Sequence, residues 1–203
     1  MPLYKKIVSD NSQIGIWRIE EDLSFFAPQF NSHPDIKNEN KKLQWFATRH
    51  LLNQMVGEPV EVDKDENGKP HLKNTAYHIS ISHTAELAAV IINAYAPVGL
   101  DLEMVNPKVE RIAHKFLRDD EIAAINPNEK IEKLILYFSA KEALYKFYGK
   151  GKIEFKTQLL IKPFELKLKG ELDGEIIVPE GNLTGLKVNY EFFEDHVLSY
   201  ITG

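Results

Sequence analysis

Two acidic segments and a lysine have the residue types and spacing needed to bind a divalent cation beside a phosphate. In PVGLDLEM, one apolar residue separates Asp101 from Glu103. Further along, SAKEALYK carries Glu142 and Lys146 four positions apart. Carboxylate oxygens are ligands that Mg2+ prefers, with waters and phosphate oxygens completing its coordination. A lysine beside such an ion can bind the same phosphate.

The segment PVGLDLEM predicts a strand whose two faces differ. Alternate side chains of a strand point to opposite faces, so Asp101 and Glu103 share one face, about 7 Å apart, beside Gly99. The Val and Leu side chains take the other face. The same alternation is typical of the solvent face of a two-sided sheet, so the strand alone leaves a purely structural interpretation open.

The segment EKIEKLILYFSAKEALYKFYG predicts a long helix with a carboxylate in its apolar stripe. Steps of three and four residues from Ile131 pass through Phe138 and reach Glu142 and Tyr145. A buried carboxylate without a partner is costly, so Glu142 requires a cation, a proton or a metal ion. The alternative is a hydrated pair with Lys146, which would contribute only a few tenths of a kcal/mol.

A third group of candidate residues lies in HISISHT. As a strand, this segment places Ser80 and Ser82 on one face, and His83 begins the turn that follows. Hydroxyl and imidazole groups at a strand end can donate hydrogen bonds to phosphate oxygens. A Ser-His hydrolase is disfavoured because neighbouring strand residues point apart and the G-x-S-x-G motif is absent.

Turn and capping signals indicate an α+β fold. We predict a helix over Glu39–Val56 that ends at Gly57, and a long helix that starts at an Asn126 cap and ends at Gly149–Gly151. From Ile153 onward, short β-like runs separated by Gly, Pro and Asn predict an antiparallel meander. Helices packed on antiparallel sheet define the α+β class.

The same signals divide the chain into two predicted domains. Residues 1–96 form an N-terminal α+β half. Residues 97–203 form a C-terminal half that contains the acidic strand, short helices near Val109–Leu117 and Asp119–Ile125, the long helix and the meander. The candidate site therefore draws on both halves.

Composition narrows the function classes. The 203 residues include 25 Lys and Arg against 30 Asp and Glu, a formal net charge of −5, which argues against a protein that coats nucleic acid. The absence of cysteine excludes disulfides, a thiolate zinc site and a cysteine nucleophile. No apolar run is long enough to span a membrane, and MPLYKKIVSDNSQ lacks the apolar core of a signal peptide, so we expect a cytoplasmic protein without a membrane partner.

Four segments in order carry a family resemblance. GKPHL, ISISHT, VGLDLE and FSAKEALYK, spread over residues 68–146, resemble the motif series of the 4′-phosphopantetheinyl transferase superfamily. The length is similar to the single-chain, surfactin-synthetase-activating type. That type implies two similar α+β halves related by a pseudo-two-fold, each an antiparallel sheet packed with helices, and a monomer.

The resemblance implies a reaction. Coenzyme A would donate its phosphopantetheine arm to a serine of an acyl or peptidyl carrier protein, leaving adenosine 3′,5′-bisphosphate. It also implies that Asp101, Glu103 and Glu142 hold Mg2+ on the diphosphate of coenzyme A. Mn2+ prefers the same oxygen ligands and is not distinguished from Mg2+ by the sequence.

The resemblance also assigns contacts with coenzyme A. His83 and Arg49 match residues at the 3′-phosphate, and Lys146 would bind the diphosphate and steady the leaving group. The complete set of implied contacts is Arg49, Lys69, Pro70, Ser82, His83, Lys141 and Lys146, with Lys69 and Pro70 lining the adenine. Glu142, Lys146 and His83 are the implied catalytic residues, and Glu121 aligns with a glutamate near the metal in some members.

Two features bear on the second substrate. Carrier domains are typically acidic, and Lys108, Arg111 and Lys115 recur on one side of a predicted short helix, which indicates a docking surface or simply a solvated face. The base that deprotonates the carrier serine is open between Glu142 and a hydroxide on the metal. We favour Glu142, since a carboxylate in an apolar stripe should have a raised pKa.

Other functions remain as alternatives. A metal-dependent nuclease or phosphodiesterase also combines carboxylates with a lysine near a scissile phosphate, and a non-catalytic relative could bind coenzyme A or a carrier. The sequence does not say whether the carrier serves fatty acid, polyketide or nonribosomal peptide biosynthesis. It also leaves open whether acylated coenzyme A is accepted.

Overall fold

The computed structural model describes residues 3–9, 11–73 and 75–203, which form eleven strands and six α-helices. The strands are β1 Leu3–Val8, β2 Ser12–Arg18, β3 Val62–Lys64, β4 Pro70–Leu72, β5 His78–His83, β6 Leu87–Asn93, β7 Val98–Met104, β8 Leu159–Ile161, β9 Lys169–Ile176, β10 Leu183–Phe193 and β11 His196–Thr202. The α-helices are α1 Leu23–Phe26, α2 Glu39–Val56, α3 Ala113–Phe116, α4 Asp119–Ala123, α5 Lys130–Tyr148 and α6 Phe155–Gln158. Short 3-10 helices cover Ala27–Gln29, Pro107–Arg111 and Pro127–Glu129. None of the helices in these ranges has the length and apolar character to span a bilayer.

The strands form two larger antiparallel sheets and one hairpin. The first sheet has the order β1-β2-β6-β5, and the second has the order β7-β11-β10-β9-β8. Strands β3 and β4 form a separate two-stranded hairpin. The predicted α+β class is confirmed. The boundary between two domains near residue 96 and the pseudo-two-fold stay predictions.

Helix α2 forms as its sequence predicts. The Asn38 side chain accepts a hydrogen bond from the backbone N–H of Lys41 at the N-terminus, and Gly57 ends the helix with φ at 91°. Such a left-handed residue favours glycine, which has no Cβ to clash. The buried side of α2 packs on the first sheet in an apolar cluster that includes Trp17, Phe46, Leu51, Leu52 and Val90.

Helix α5 begins later than the sequence predicts. The Asn126 side chain accepts from the N–H of Asn128, and this cap opens the 3-10 helix over Pro127–Glu129 rather than an α-helix. The predicted end is confirmed, because Gly149 has φ at 67°. The helix lies on the second sheet over an apolar cluster that includes Leu134, Leu144, Leu172, Val188 and Ile201.

Close contact between α5 and β7 depends on Gly99. A Cβ at Gly99 would overlap the carbonyl oxygen of Ala143 and lie 2.7 Å from the backbone nitrogen of Phe147. The face of β7 that holds Gly99 therefore meets the helix backbone directly. Asp101 and Glu103 lie on the same face of the strand.

The two sheets meet where β5 and β7 run side by side as edge strands. The hydroxyl of Ser80 accepts a hydrogen bond from the backbone N–H of Leu100 at 3.0 Å, so a side chain joins the two edges. A third apolar cluster fills the space between the sheets and includes Ile14, Ile91, Leu100 and Leu198.

Three short elements differ from the sequence prediction. The run EFKTQLLI is not all strand, because Thr157 Oγ donates to Glu154 Oε2 at 2.6 Å and Gln158 Oε1 accepts from the N–H of Glu154, which closes helix α6. The predicted helix over Val109–Leu117 is split between a 3-10 helix capped by Asn106 and α3. Strand β1 was not predicted.

Candidate active site

Strand β7, strand β5 and helix α5 bring an acid, a hydroxyl and an ammonium into one hydrogen-bonded group. Lys146 Nζ donates to Asp101 Oδ1 at 2.7 Å and to Ser82 Oγ at 3.1 Å. The Ser82 hydroxyl donates to the same Asp101 oxygen at 3.0 Å. Because Asp101 is only 2% exposed, these two donors compensate a charge that water does not reach.

The other two carboxylates lie close enough to Asp101 to feel its charge. Burial raises the pKa of Glu142 to about 7, with a further increase from the negative charge of Asp101 and an opposing effect of Lys146. Burial also raises the pKa of Glu103, and both Asp101 and Glu142 add to that increase. Three carboxylates gathered in this way repel one another unless protons or a cation offset their charge.

The donor set fits a hard divalent cation in its chemistry. All three side chains offer carboxylate oxygens, and Oδ2 of Asp101 is buried with no hydrogen-bond partner among the described residues. In geometry, no group of three or more His, Cys, Asp or Glu in the described ranges is arranged to hold a metal ion. In this structure the positive charge next to the Asp101 carboxylate is the ammonium of Lys146.

A cavity of about 930 Å³ opens beside this group. Its walls come from α2, the β3–β4 hairpin, β5 and the C-terminal end of α5. Five cationic side chains line it, namely Lys41, Arg49, Lys64, Lys69 and Lys146, together with His83. No Asp or Glu of the described residues lines the cavity, so its field attracts anions.

Arg49 presents an uncompensated charge to the cavity. Its guanidinium stacks over the ring of Trp45, 5.0 Å from the centroid, and one nitrogen donates to the hydroxyl of Thr48 at 3.1 Å. Its Nε is buried with no partner among the described residues. Burial lowers the pKa of Arg49 to about 10, which still leaves the group charged at neutral pH. Such a group is suited to an anionic ligand.

Lys69 ties the hairpin loop to the end of α5. Its Nζ donates to the carbonyl oxygen of Phe147 at 3.0 Å, and its side chain covers Gly149 so closely that a Cβ there would overlap it. The loop is held by Asp65, whose carboxylate accepts the N–H groups of Asn67 and Lys69. Lys69 thus forms a wall of the cavity and also caps a helix.

His83 lies at the end of β5, and its side chain is exposed at the cavity. Partial desolvation of the ring lowers the pKa of His83, because it disfavours the charged imidazolium, and the positive charges of Lys146 and Arg49 lower this pKa further. The imidazole is therefore mainly neutral at pH 7.

Comparison with known proteins identifies this arrangement. A model of the 4′-phosphopantetheinyl transferase superfamily matches residues 97–196, which span β7 and α5. Residues 97–196 therefore belong to the 4′-phosphopantetheinyl transferase superfamily. It is 32% identical over 110 residues to the 4′-phosphopantetheinyl transferase psf-1 of Bacillus pumilus, covering 51% of this chain and 47% of that relative. This alignment spans about half of the length of psf-1.

Two further members of the superfamily align over more of the chain. The 4′-phosphopantetheinyl transferase HetI of Nostoc sp. is 27% identical over 184 residues, covering 76% of this chain and 77% of HetI. A 4′-phosphopantetheinyl transferase of Bacillus subtilis is 26% identical over 138 residues, covering 66% of this chain and 59% of the relative.

Most residues that the superfamily resemblance implies lie at the cavity or next to it. Arg49, Lys69, Pro70, His83 and Lys146 line the cavity. Ser82 is buried beside it and donates to Asp101, so its hydroxyl supports the carboxylate in this structure.

Lys141 and Glu121 do not join this group. Lys141 is fully buried, and its Nζ donates to the carbonyl oxygens of Phe116 at 2.6 Å and Phe155 at 3.3 Å. It lies 3.7 Å from Oε2 of Glu121, which also accepts from the N–H of Arg118. We therefore correct the implied contact of Lys141 with coenzyme A, because a ligand cannot reach a side chain that holds three elements together. Glu121 faces this lysine rather than the carboxylates of β7.

Sequence reasoning missed several residues of the cavity wall, among them Lys41, Trp45 and Lys64. Lys41 and Trp45 precede Arg49 by eight and four positions on α2, so they share its side of the helix. Lys64 comes from β3 on the hairpin. The four-residue spacing from Arg49 was the available signal for the helix pair, whereas nothing in the sequence marks Lys64.

The basic residues of the predicted carrier surface are exposed. Lys108 and Arg111 belong to the 3-10 helix Pro107–Arg111, and Lys115 belongs to α3. These segments come directly after β7 in the chain, so the three basic residues follow the strand that carries Asp101.

Proposed function

We propose that the protein transfers the 4′-phosphopantetheine group of coenzyme A to a serine hydroxyl of an acyl or peptidyl carrier protein, with release of adenosine 3′,5′-bisphosphate. The observation that carries the proposal is the contact of Lys146 with Asp101 at the edge of a cationic cavity. Membership of the superfamily supports it, and the relatives described above bear the name of this activity.

Coenzyme A suits the cavity because it carries phosphate groups at both ends of its nucleotide. Arg49 and His83 would bind the 3′-phosphate, and Lys146 would bind the diphosphate next to the carboxylates. Lys69 and Pro70 would form the wall against the adenine. In the part of the chain that the structure describes, five cationic side chains and no carboxylate line the cavity, which matches the negative charge of such a ligand.

Asp101, Glu103 and Glu142 would hold Mg2+ or Mn2+, both of which prefer oxygen ligands. Bound there, the ion would offset negative charge on the diphosphate. The unpartnered Oδ2 of Asp101 and the raised pKa values of both glutamates support this assignment.

In the transfer step, the serine oxygen forms a bond with phosphorus while the phosphorus bond to the bridging oxygen breaks. The serine loses its proton, and adenosine 3′,5′-bisphosphate leaves with the bridging oxygen. Glu142 would accept the proton, because a carboxyl group with a pKa of about 7 is ionised in about half of the molecules near neutral pH and is a stronger base than an ordinary carboxylate. Lys146 would balance the charge that develops on the leaving phosphate.

The carrier would dock on Lys108, Arg111 and Lys115, which offer positive charge to an acidic partner. The monomeric state and the cytoplasmic location remain predictions.

The test is incubation of the purified protein with coenzyme A, Mg2+ and an apo carrier protein, followed by intact-mass measurement. We expect the carrier to gain the mass of one phosphopantetheine group. A carrier whose serine is replaced by alanine should gain nothing. An unmodified carrier under these conditions, with nicking of plasmid DNA in a parallel sample, would replace the proposal with the nuclease alternative.

A further inference from the structure

A buried histidine in the second sheet contacts the residue that follows His83. His196 is 1% exposed, and its Nε2 lies 3.2 Å from Oγ of Thr84. Its ring stacks on Phe193, with centroids 6.1 Å apart. The contact runs from the start of β11 to the turn after β5, so it joins the second sheet to the end of the strand that presents His83.

The other hydrogen bonds of the Thr84 hydroxyl determine which atom is the donor in its contact with His196. Its oxygen already accepts the backbone N–H groups of Glu86 at 3.3 Å and Leu87 at 3.1 Å. A hydroxyl oxygen has two acceptor positions, so the Thr84 hydroxyl must use its proton toward His196. Nε2 of His196 is then the acceptor, and the proton of the neutral ring is on Nδ1.

The remaining nitrogen of His196 faces a carboxylate. Oδ1 of Asp195 lies 2.7 Å from Nδ1, at an angle too oblique for a hydrogen bond. The carboxylate is nevertheless placed to favour the tautomer with the proton on Nδ1. An Asp-His-Thr sequence of contacts also occurs in hydrolases, but here both acceptor positions of the Thr84 oxygen are occupied, so it cannot attack a substrate.

A second element also makes a hydrogen bond to Thr84. The side chain of Gln44 on α2 donates to the carbonyl oxygen of Thr84 at 3.0 Å. Helix α2 also carries Arg49, which lines the cavity with His83. Thr84 therefore connects α2, the turn after β5 and the start of β11 at one residue beyond His83.

We propose that His196 is a positioning residue which, through Thr84, holds the His83 imidazole in place for a phosphate of the ligand. The proposal rests on the proposed function for the identity of that ligand. The hydrogen bond from Thr84 to His196 limits rotation of the turn, so His83 meets the phosphate without losing further conformational freedom on binding.

The first experiment compares Thr84→Val with Thr84→Ser by calorimetric titration of coenzyme A. Valine keeps the shape and removes the hydroxyl, so we expect about fivefold weaker binding, whereas serine should bind within twofold of the original protein. His196→Phe keeps the ring against Phe193 and removes only the acceptor of the Thr84 proton, whereas valine also removes the acceptor of the Glu86 and Leu87 N–H groups. His196→Phe should therefore weaken binding measurably but no more than Thr84→Val does. Added to Thr84→Val, it should have no further effect.

The decisive control is the same substitution in a His83→Ala background. If Thr84 acts through His83, Thr84→Val should not change the affinity of the His83→Ala protein. An equal fivefold loss in both backgrounds would overturn the proposal, as would unchanged binding in the single Thr84→Val variant.

Nuclear magnetic resonance of 15N-labelled histidine tests the positioning without a ligand. The ring signals of His83 should shift in Thr84→Val and remain in place in Thr84→Ser. Unchanged His83 signals in Thr84→Val would refute the inference even if coenzyme A binds. Absence of coenzyme A binding by the original protein would instead refute the proposed function, and the histidine spectra would still decide whether Thr84 positions His83. Should His196→Phe fail to fold, His196→Leu, which likewise offers no acceptor to the Thr84 hydroxyl, takes its place in both measurements.

Discussion

The ammonium of Lys146 lies 2.7 Å from Oδ1 of Asp101, and this contact joins the last turns of α5 to the middle of β7. Ser82 of β5 donates to the same oxygen. The carboxylate is therefore held by β5 of the first sheet and by α5 before any ligand arrives. In an enzyme that cleaves a diphosphate, such preorganisation is a large part of catalysis.

Replacement of Lys146 by methionine should reduce transfer to the carrier by at least about 100-fold, because charge on the leaving phosphate loses its partner. It should also lower the free energy of unfolding by about 3 kcal/mol, since Asp101 would keep a buried charge. Carrier mass measurement and urea unfolding report the two effects.

Lys150→Met is the matched control for Lys146→Met. Lys150 is 67% exposed near the same helix end, and its loss should change neither the transfer rate nor the free energy of unfolding. Asp101→Asn added to Lys146→Met should recover stability without activity, and recovery of activity would contradict the assigned role.

Replacement of Glu142 by glutamine should lower kcat about 100-fold or more, because the amide cannot accept the serine proton. Coenzyme A affinity measured without added metal should change little, as Glu142 does not line the cavity. Single-turnover measurements with an apo carrier separate the two quantities, and Mn2+ titration by calorimetry reports metal binding. Full turnover by this variant, with Mn2+ binding intact, would remove Glu142 as the base.

Replacement of Gly99 by alanine should destabilise the protein by about 3 kcal/mol, since the added Cβ overlaps the backbone of α5, which cannot yield as a side chain can. Gly15→Ala is the comparison, because there the added Cβ meets the flexible ends of Met55 and Leu51. Denaturant unfolding should show a much smaller loss for Gly15→Ala. Similar losses at the two positions would show that β7 and α5 can move apart freely.

The buried Lys141 predicts a dependence of stability on pH. Burial lowers its pKa from the ordinary 10.5 to about 8 in the folded protein. Between these values the unfolded chain holds the proton and the folded protein does not, so stability rises with pH across this window, by about 3 kcal/mol in total. Below pH 8 both states are protonated and the folded state is destabilised throughout.

The measurement is the free energy of unfolding from pH 7.5 to 10.5, for the original protein and for a Lys141→Met, Glu121→Gln double variant. The double variant removes the lysine without leaving its carboxylate partner charged and buried. Its curve should lack the rise that the original protein shows. Parallel curves would mean that Lys141 keeps an ordinary pKa in the fold.

Reversal of Arg111 and Lys115 to glutamate should raise KM for an acidic carrier about tenfold, with little change in coenzyme A affinity. The effect should shrink as salt increases, because exposed charges are screened. Lys162 and Lys169 are exposed in the second half of the chain, and their reversal changes the net charge equally. An equal rise in KM for this second pair would show that net charge, rather than a docking surface, governs the association.

Local sequence signals predicted the helices and strands that carry the site more accurately than they predicted the contacts between those elements. Helix α2 has its predicted bounds because its cap at Asn38 and its end at Gly57 are local. The alternation around Asp101 correctly separated the acidic face of β7 from the face that packs between the sheets, which includes Leu100. Both inferences need only the geometry of one element.

Such local rules do not predict contacts between segments that are distant in the sequence. Lys141 and Lys146 flank Glu142 on the same helix, yet one lies under the Phe116 carbonyl and the other meets Asp101. That difference depends on how α3 packs against α5. Lys64 likewise reaches the cavity only because the hairpin packs beside β5, and its sequence neighbours do not indicate that position.

The hydrogen bond from Lys69 to the Phe147 carbonyl has a consequence for ligand binding. Lys69 lies in the hairpin loop that follows α2, and Phe147 lies in the last turn of α5, so this wall of the cavity also fastens the hairpin to the long helix. A nucleotide bound against Lys69 would contact the wall at which the hairpin and α5 meet. Its binding free energy would therefore add to the stability of the folded protein. Occupancy of the cavity and resistance to unfolding should therefore rise together.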